Sequence, residues 1–131
     1  MDKVDKKLRR FQQAELDAMV MYRGLADRMK EERDAIFLKK IAAEEGRHAA
    51  VLRGLTCETL QCKQGTKRAV LFMHFFLRRD LTFRVISWGE RAAGKKYERF
   101  VDKYGINELL TVAHDEYDHA IAFGALATKE Q

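Results

Sequence analysis

The chain has 131 residues, 47% of them hydrophobic and 34% charged, with no proline and only 8 glycines. That length suits one domain (1–131) with one core, and the shortage of turn residues and β-branched runs excludes a strand-rich fold. The net charge of +5 comes from 25 Lys and Arg against 20 Asp and Glu, interleaved as on a solvated helix face, so it does not point to a nucleic-acid partner.

What remains is rich in Ala, Leu, Met, Glu, Lys and Arg, which favour helix, and the expected class is all-α. From Val4 to about Met29, Leu8, Phe11, Leu16, Met19, Leu25 and Met29 recur at helical spacing. A second helix is predicted from about Glu31 to Leu55, with Ile36, Phe37, Ile41, Ala42, Ala49 and Leu52 on its buried side. A linker, about Thr56 to Gly65, holds Cys57 and Cys62, whose spacing is neither a disulfide framework nor a four-ligand zinc site. Helical pattern resumes through Phe72, Phe75, Phe76 and Leu81 to Tyr104, with a break expected near Arg79–Thr82. Gly105 reads as a C-cap, and a last helix is predicted from about Ile106 to Ala127. Four long helices with short connections predict an antiparallel four-helix bundle.

The N-terminus is charged and lacks the apolar stretch of a secretory signal. The most apolar run, Val70 to Leu77, is too short to span a bilayer. The expected location is therefore cytoplasmic. That run crowds Phe72, Phe75 and Phe76 together, which suggests burial against a second chain, as a homodimer or helix-exchanged pair, or a short helix folded over its own bundle.

The two halves of the chain repeat a pattern. Glu15 is followed seven residues on by Tyr22, and Glu90 seven residues on by Tyr97; EEGRH (44–48) then follows in the first half and DEYDH (115–119) in the second. On a helix, positions i and i+3 share a face, so Glu45 with His48, and Glu116 with His119, can each reach one metal. Glu15 and Glu90, alone on the preceding helices, can face them across the bundle. A Glu from each of two helices plus Glu-x-x-His from each of the other two is the ligand arrangement of ferritin-like two-metal centres. Four buried carboxylates would be neutralised by two divalent ions, and oxygen and imidazole donors without thiolate suit iron or manganese, with zinc also possible. Glu44 and Asp115 are rotated by about 100° from the ligand face and are expected to be exposed or to support the ligands from behind. His74 and His114 have no partner at ligand spacing. Tyr22 and Tyr97 sit two turns beyond Glu15 and Glu90, where they either pack in the core or hydrogen-bond a ligand.

With these motifs the chain resembles the rubrerythrin branch of the ferritin-like superfamily. Residues 12–48 resemble the first helix pair of rubrerythrin-like proteins. Residues 78–100 with HDEYDH (114–119) are similar to the rubrerythrin-like domain attached to vacuolar-iron-transporter-type membrane proteins. The resemblance implies that Glu15, Glu45, His48, Glu90, Glu116 and His119 bind two iron ions and carry the chemistry. It departs from the family in having no four-cysteine rubredoxin module, and Ala93 stands one turn after Glu90 where many rubrerythrins place a further Glu. The implied function is a di-iron redox protein that oxidises Fe(II) with hydrogen peroxide or dioxygen, drawing on an external electron donor. The alternative is a non-catalytic iron-binding sensor or carrier.

Overall fold

A computed structural model of the chain describes residues 2–128, and the all-α class expected from the sequence is the one found. Helix α1 spans Lys3–Ala26, α2 Glu32–Thr56, α3 Gly65–Tyr104 and α4 Leu109–Thr128. Asp2 caps α1 by accepting the Asp5 N–H at 2.8 Å, which satisfies one of the donors that a helix start leaves open. The helix stops at Ala26, earlier than its apolar periodicity predicts, and residues 27–31 turn the chain into α2.

Two helices end on a left-handed residue. Gly105, at φ 71°, closes α3 by donating its N–H to Val101 O at 2.7 Å. Cys57 does the same for α2, at φ 59° and ψ 26°, with its N–H on Arg53 O at 2.8 Å. Residues 106–108 form a turn before α4, carrying Leu109 N–H to Ile106 O at 3.2 Å, so α4 begins later than Ile106.

The chain packs as two compact units, one ending at Phe72 and the other beginning at Met73. In the first, α1 and α2 run antiparallel: Gln12 bonds Thr56 near one end, and Met19 Sδ closes on Gly46 further along. The segment 57–64 returns along α1, where Gln61 O accepts from Gln13 Nε2 at 2.7 Å and Lys63 N–H donates to Asp17 Oδ1 at 2.9 Å. In the second unit α3 and α4 are antiparallel too. Arg79 donates to Leu126 O at 3.1 Å, the rings of Phe83 and Phe123 meet edge to face at 5.2 Å, and Tyr117 lies flat on Gly94.

The repeat seen in the motifs extends through the core. Buried residues of α1 recur 75 positions later in α3: Leu8 with Phe83, Gln12 with Ser87, Glu15 with Glu90, Tyr22 with Tyr97, Leu25 with Phe100 and Ala26 with Val101. Those of α2 recur 71 positions later in α4: Leu38 with Leu109, Ile41 with Val112, Ala42 with Ala113, Glu45 with Glu116, His48 with His119, Ala49 with Ala120 and Leu52 with Phe123. These spacings of three, four and seven are one helix face. Ile36 is off it, about 200° from Asp34 and Leu38, and is 60% exposed although the sequence pattern predicted it buried.

The two left-handed caps differ in their residue, and that sets opposite expectations. Gly105→Ala places a Cβ in a conformation that disfavours one and should cost about 1 kcal/mol; Cys57→Gly removes the same penalty and should stabilise by a similar amount. Chemical denaturation of the two variants against the parent checks both signs.

Candidate metal-binding sites

Each unit gathers one carboxylate from its first helix and a Glu-x-x-His pair from its second. In the first, α1 supplies Glu15 and α2 supplies Glu45 and His48; in the second, α3 supplies Glu90 and α4 supplies Glu116 and His119. All six side chains are buried, from 1% exposed for Glu45 to 7% for Glu90. Within each triad the nearest ligand atoms lie within 4.8 Å of one another.

The geometry of the triads repeats in detail. His48 Nδ1 is 3.2 Å from Glu15 Oε1 and 3.1 Å from Glu45 Oε1. His119 Nδ1 is 2.8 Å from Glu90 Oε1 and 3.2 Å from Glu116 Oε1. One ring nitrogen carries at most one hydrogen, so it can serve only one of its two carboxylates as a donor. Two carboxylates converging on one imidazole nitrogen, away from water, therefore hold more negative charge than the ring can offset. A cation among the three atoms would answer that excess. Ligand atoms at about 2.1 Å from an ion and at right angles to each other stand about 3 Å apart, which is the spacing seen here. Oxygen and imidazole donors suit a divalent first-row metal, so these are groups that could hold metal ions.

The other residues singled out in the sequence fall around the triads. Tyr22 and Tyr97 are buried. Glu44 and Asp115 are half-buried, and Glu44 lies 3.8 Å from Arg47. His114 is exposed and His74 half-buried. Cys57 and Cys62 are free, exposed thiols. Tyr117 donates to Glu98 at 2.6 Å, and that bond, followed by desolvation and the Glu98 charge, pushes its phenol above the usual 10.0.

Sequence reasoning missed two residues that position the triads. Gln12 lies one turn before Glu15, donates through Nε2 to Glu58 O at 2.8 Å and accepts from Thr56 Oγ1 at 2.6 Å. Ser87 lies one turn before Glu90 and donates to Ala120 O at 2.6 Å. Both are buried polar residues at the same place in the repeat. The available signal was a polar residue three positions ahead of each lone Glu, on a stripe otherwise apolar.

Compared with known proteins, the chain matches no family model, no curated protein and no solved structure.

Removing one of the crowded charges should help the protein when metal is withheld. In excess chelator, Glu45→Gln and Glu116→Gln are each expected to raise stability by about 1–2 kcal/mol, read as a higher melting temperature. The same variants should gain less than the parent from added Mn(II) or Fe(II).

Proposed function

We propose that the two triads act together as one two-metal centre in a ferritin-like, rubrerythrin-like domain, and that the protein is a di-iron redox protein oxidising Fe(II) with hydrogen peroxide or dioxygen. The observation that carries this reading is the duplicated triad, in which an imidazole nitrogen stands between two buried carboxylates. Duplication supports two ions, because each half brings two carboxylates and one histidine and four negative charges balance two divalent cations. A bound iron pair supplies two electrons, enough to reduce one hydrogen peroxide to two waters with two protons.

This chain's residues would hold that pair in a dry, low-dielectric setting. Glu15, Glu45 and His48 from one helix pair, and Glu90, Glu116 and His119 from the other, would hold the ions. With only one carboxylate from each lone-Glu helix, coordination positions would remain open for oxidant, the condition for metal-based redox work. Gln12 and Ser87 tie the helices together one turn before each lone Glu, and Tyr22 and Tyr97 are buried two turns beyond it. Repeated turnover needs an external electron donor, since Cys57 and Cys62 are two exposed thiols, one at the end of α2 and the other on the segment after it. The rival reading, an iron sensor or carrier, draws support from the near-complete burial of all six ligands, which favours retention over exchange.

Metal analysis of protein prepared anaerobically with ample iron should give about two ions per chain, and Glu45→Ala or Glu116→Ala should remove most of them. Wild-type metal content in both variants would refute the site. Mixed with peroxide or dioxygen, the Fe(II)-loaded protein should develop near-ultraviolet ferric absorbance, faster with peroxide. The Glu15→Ala, Glu90→Ala double variant should lose that reaction. Loaded protein inert to both oxidants would favour the sensor or carrier.

A further inference from the structure

Helix α3 carries unlike surfaces on its two sides. It breaks at Arg78, at φ 64° and ψ −177°, and runs on as helix to Tyr104. Over that second stretch Phe83, Ile86, Glu90, Gly94 and Tyr97 belong to the buried side. Leu81, Val85, Trp88 and Ala92, at intervals of four, three and four residues, make the opposite face. Leu81 is 48% exposed and Trp88, the chain's one tryptophan, is 63% exposed. By the helical step, Arg84, Arg91 and Lys95 border this strip on one side and Lys96 on the other, and all four are exposed.

Charge is distributed as unevenly as polarity. Residues 73–97 hold six Lys and Arg against two acids, a surplus of four within a chain whose net charge is +5. Neither acid offsets the exposed cations: Asp80 accepts from Arg79 at 2.6 Å, and Glu90 is buried in its triad. Just ahead of the break, Phe75 and Phe76 are 79% and 62% exposed, with their rings edge to face at 5.2 Å. Apolar side chains scattered singly on a surface are ordinary, but apolar and aromatic groups collected in this way mark an interaction site.

We propose that this exposed face of α3 docks on an anionic lipid surface. An apolar strip that includes tryptophan and is bordered by Arg and Lys is the pattern of a helix lying in the plane of a bilayer interface. The strip sits among the headgroups, and the aliphatic stems of Arg84, Arg91 and Lys95 carry their charges to the lipid phosphates. Glu90 and its triad lie on the other side of the helix, clear of the contact. A second copy of this chain is a poor occupant, because a twofold pairing of the face sets its cations against each other. A nucleic acid could use the cations and stack on Trp88, but it offers Leu81 and Val85 no apolar partner. No helix among the described residues is long and apolar enough to cross a membrane, so the contact is one of surface with surface. The inference rests on this face alone and not on metal binding.

Because Trp88 is the one tryptophan, its emission reads the contact directly. With vesicles of phosphatidylcholine and phosphatidylglycerol at low salt, the emission should shift to the blue and the protein should sediment with the vesicles. With phosphatidylcholine alone it should do neither, and added salt should release the bound protein, since surface charges are screened. The Arg84→Gln, Arg91→Gln double variant removes two charges and should bind about 30-fold more weakly. Leu81→Glu should weaken binding as well, and both variants should keep the parent's circular dichroism spectrum. Emission unmoved by anionic vesicles would overturn the proposal, even if the protein sedimented with them, because a different surface would then be the one that binds. So would a double variant that bound as tightly as the parent. A blue shift on concentrating the protein without vesicles would give the face to a second copy, and tighter binding to oligothymidylate than to the anionic vesicles would give it to nucleic acid; either result would overturn the lipid assignment.

Discussion

The constraint on which the rest depends is the charge inside each helix pair. Two carboxylates meet one imidazole nitrogen at about hydrogen-bond distance, in surroundings that water barely reaches. Burying an ion without adequate compensation costs several kcal/mol, a large share of the stability of any small domain. A sequence that keeps four such acids has to recover that cost through packing, through protons or through bound cations. The apolar residues around the triads show the first contribution: Ile41, Ala49 and Leu52 flank Glu45 and His48, as Val112, Ala120 and Phe123 flank Glu116 and His119.

The internal repeat shows how the constraint is met twice by the same means. It is easiest to see in residues that carry chemistry, because Glu, Tyr and His on an apolar stripe are conspicuous. The core residues repeat as faithfully in position while changing in size, from Leu8 to Phe83 and from Leu52 to Phe123. Position is therefore held more tightly than identity, as expected when the helix period decides which face is buried and volume is balanced among neighbours.

Much of the fold was legible in the sequence. Absence of proline, helix-forming composition and 3.6-residue spacing give the four helices, and the Gly105 cap was readable because glycine is the usual residue at φ above zero. Glu15, Glu45, His48, Glu90, Glu116 and His119 were readable as buried candidates because their order recurs. Other features had no local signature. Cys57 adopts a glycine-like conformation without being glycine, whereas the break in α3 was expected and falls at Arg78, one residue ahead of the Arg79–Thr82 stretch. Exposure of Phe72, Phe75 and Phe76 could not be read from periodicity, which shows which residues share a face but not what that face meets. Gln12 and Ser87 were passed over because a single polar residue on a stripe gives no indication of the backbone carbonyl it will find across the helix pair.

Those two residues separate the mechanical work of the site from its electrical work. Each binds the lone-Glu helix to a backbone carbonyl through an uncharged bond, at Glu58 just past the end of α2 for Gln12 and within α4 for Ser87. Helix spacing beside Glu15 and Glu90 is thus set by groups whose bonding does not alter with proton or metal occupancy. A change in the charge of the carboxylates, by a proton or by any cation the triads could hold, therefore leaves these bonds between the helices in place. Fastened in this way, each helix pair is a socket rather than a clasp: its walls are held by bonds in which the charges between them take no part.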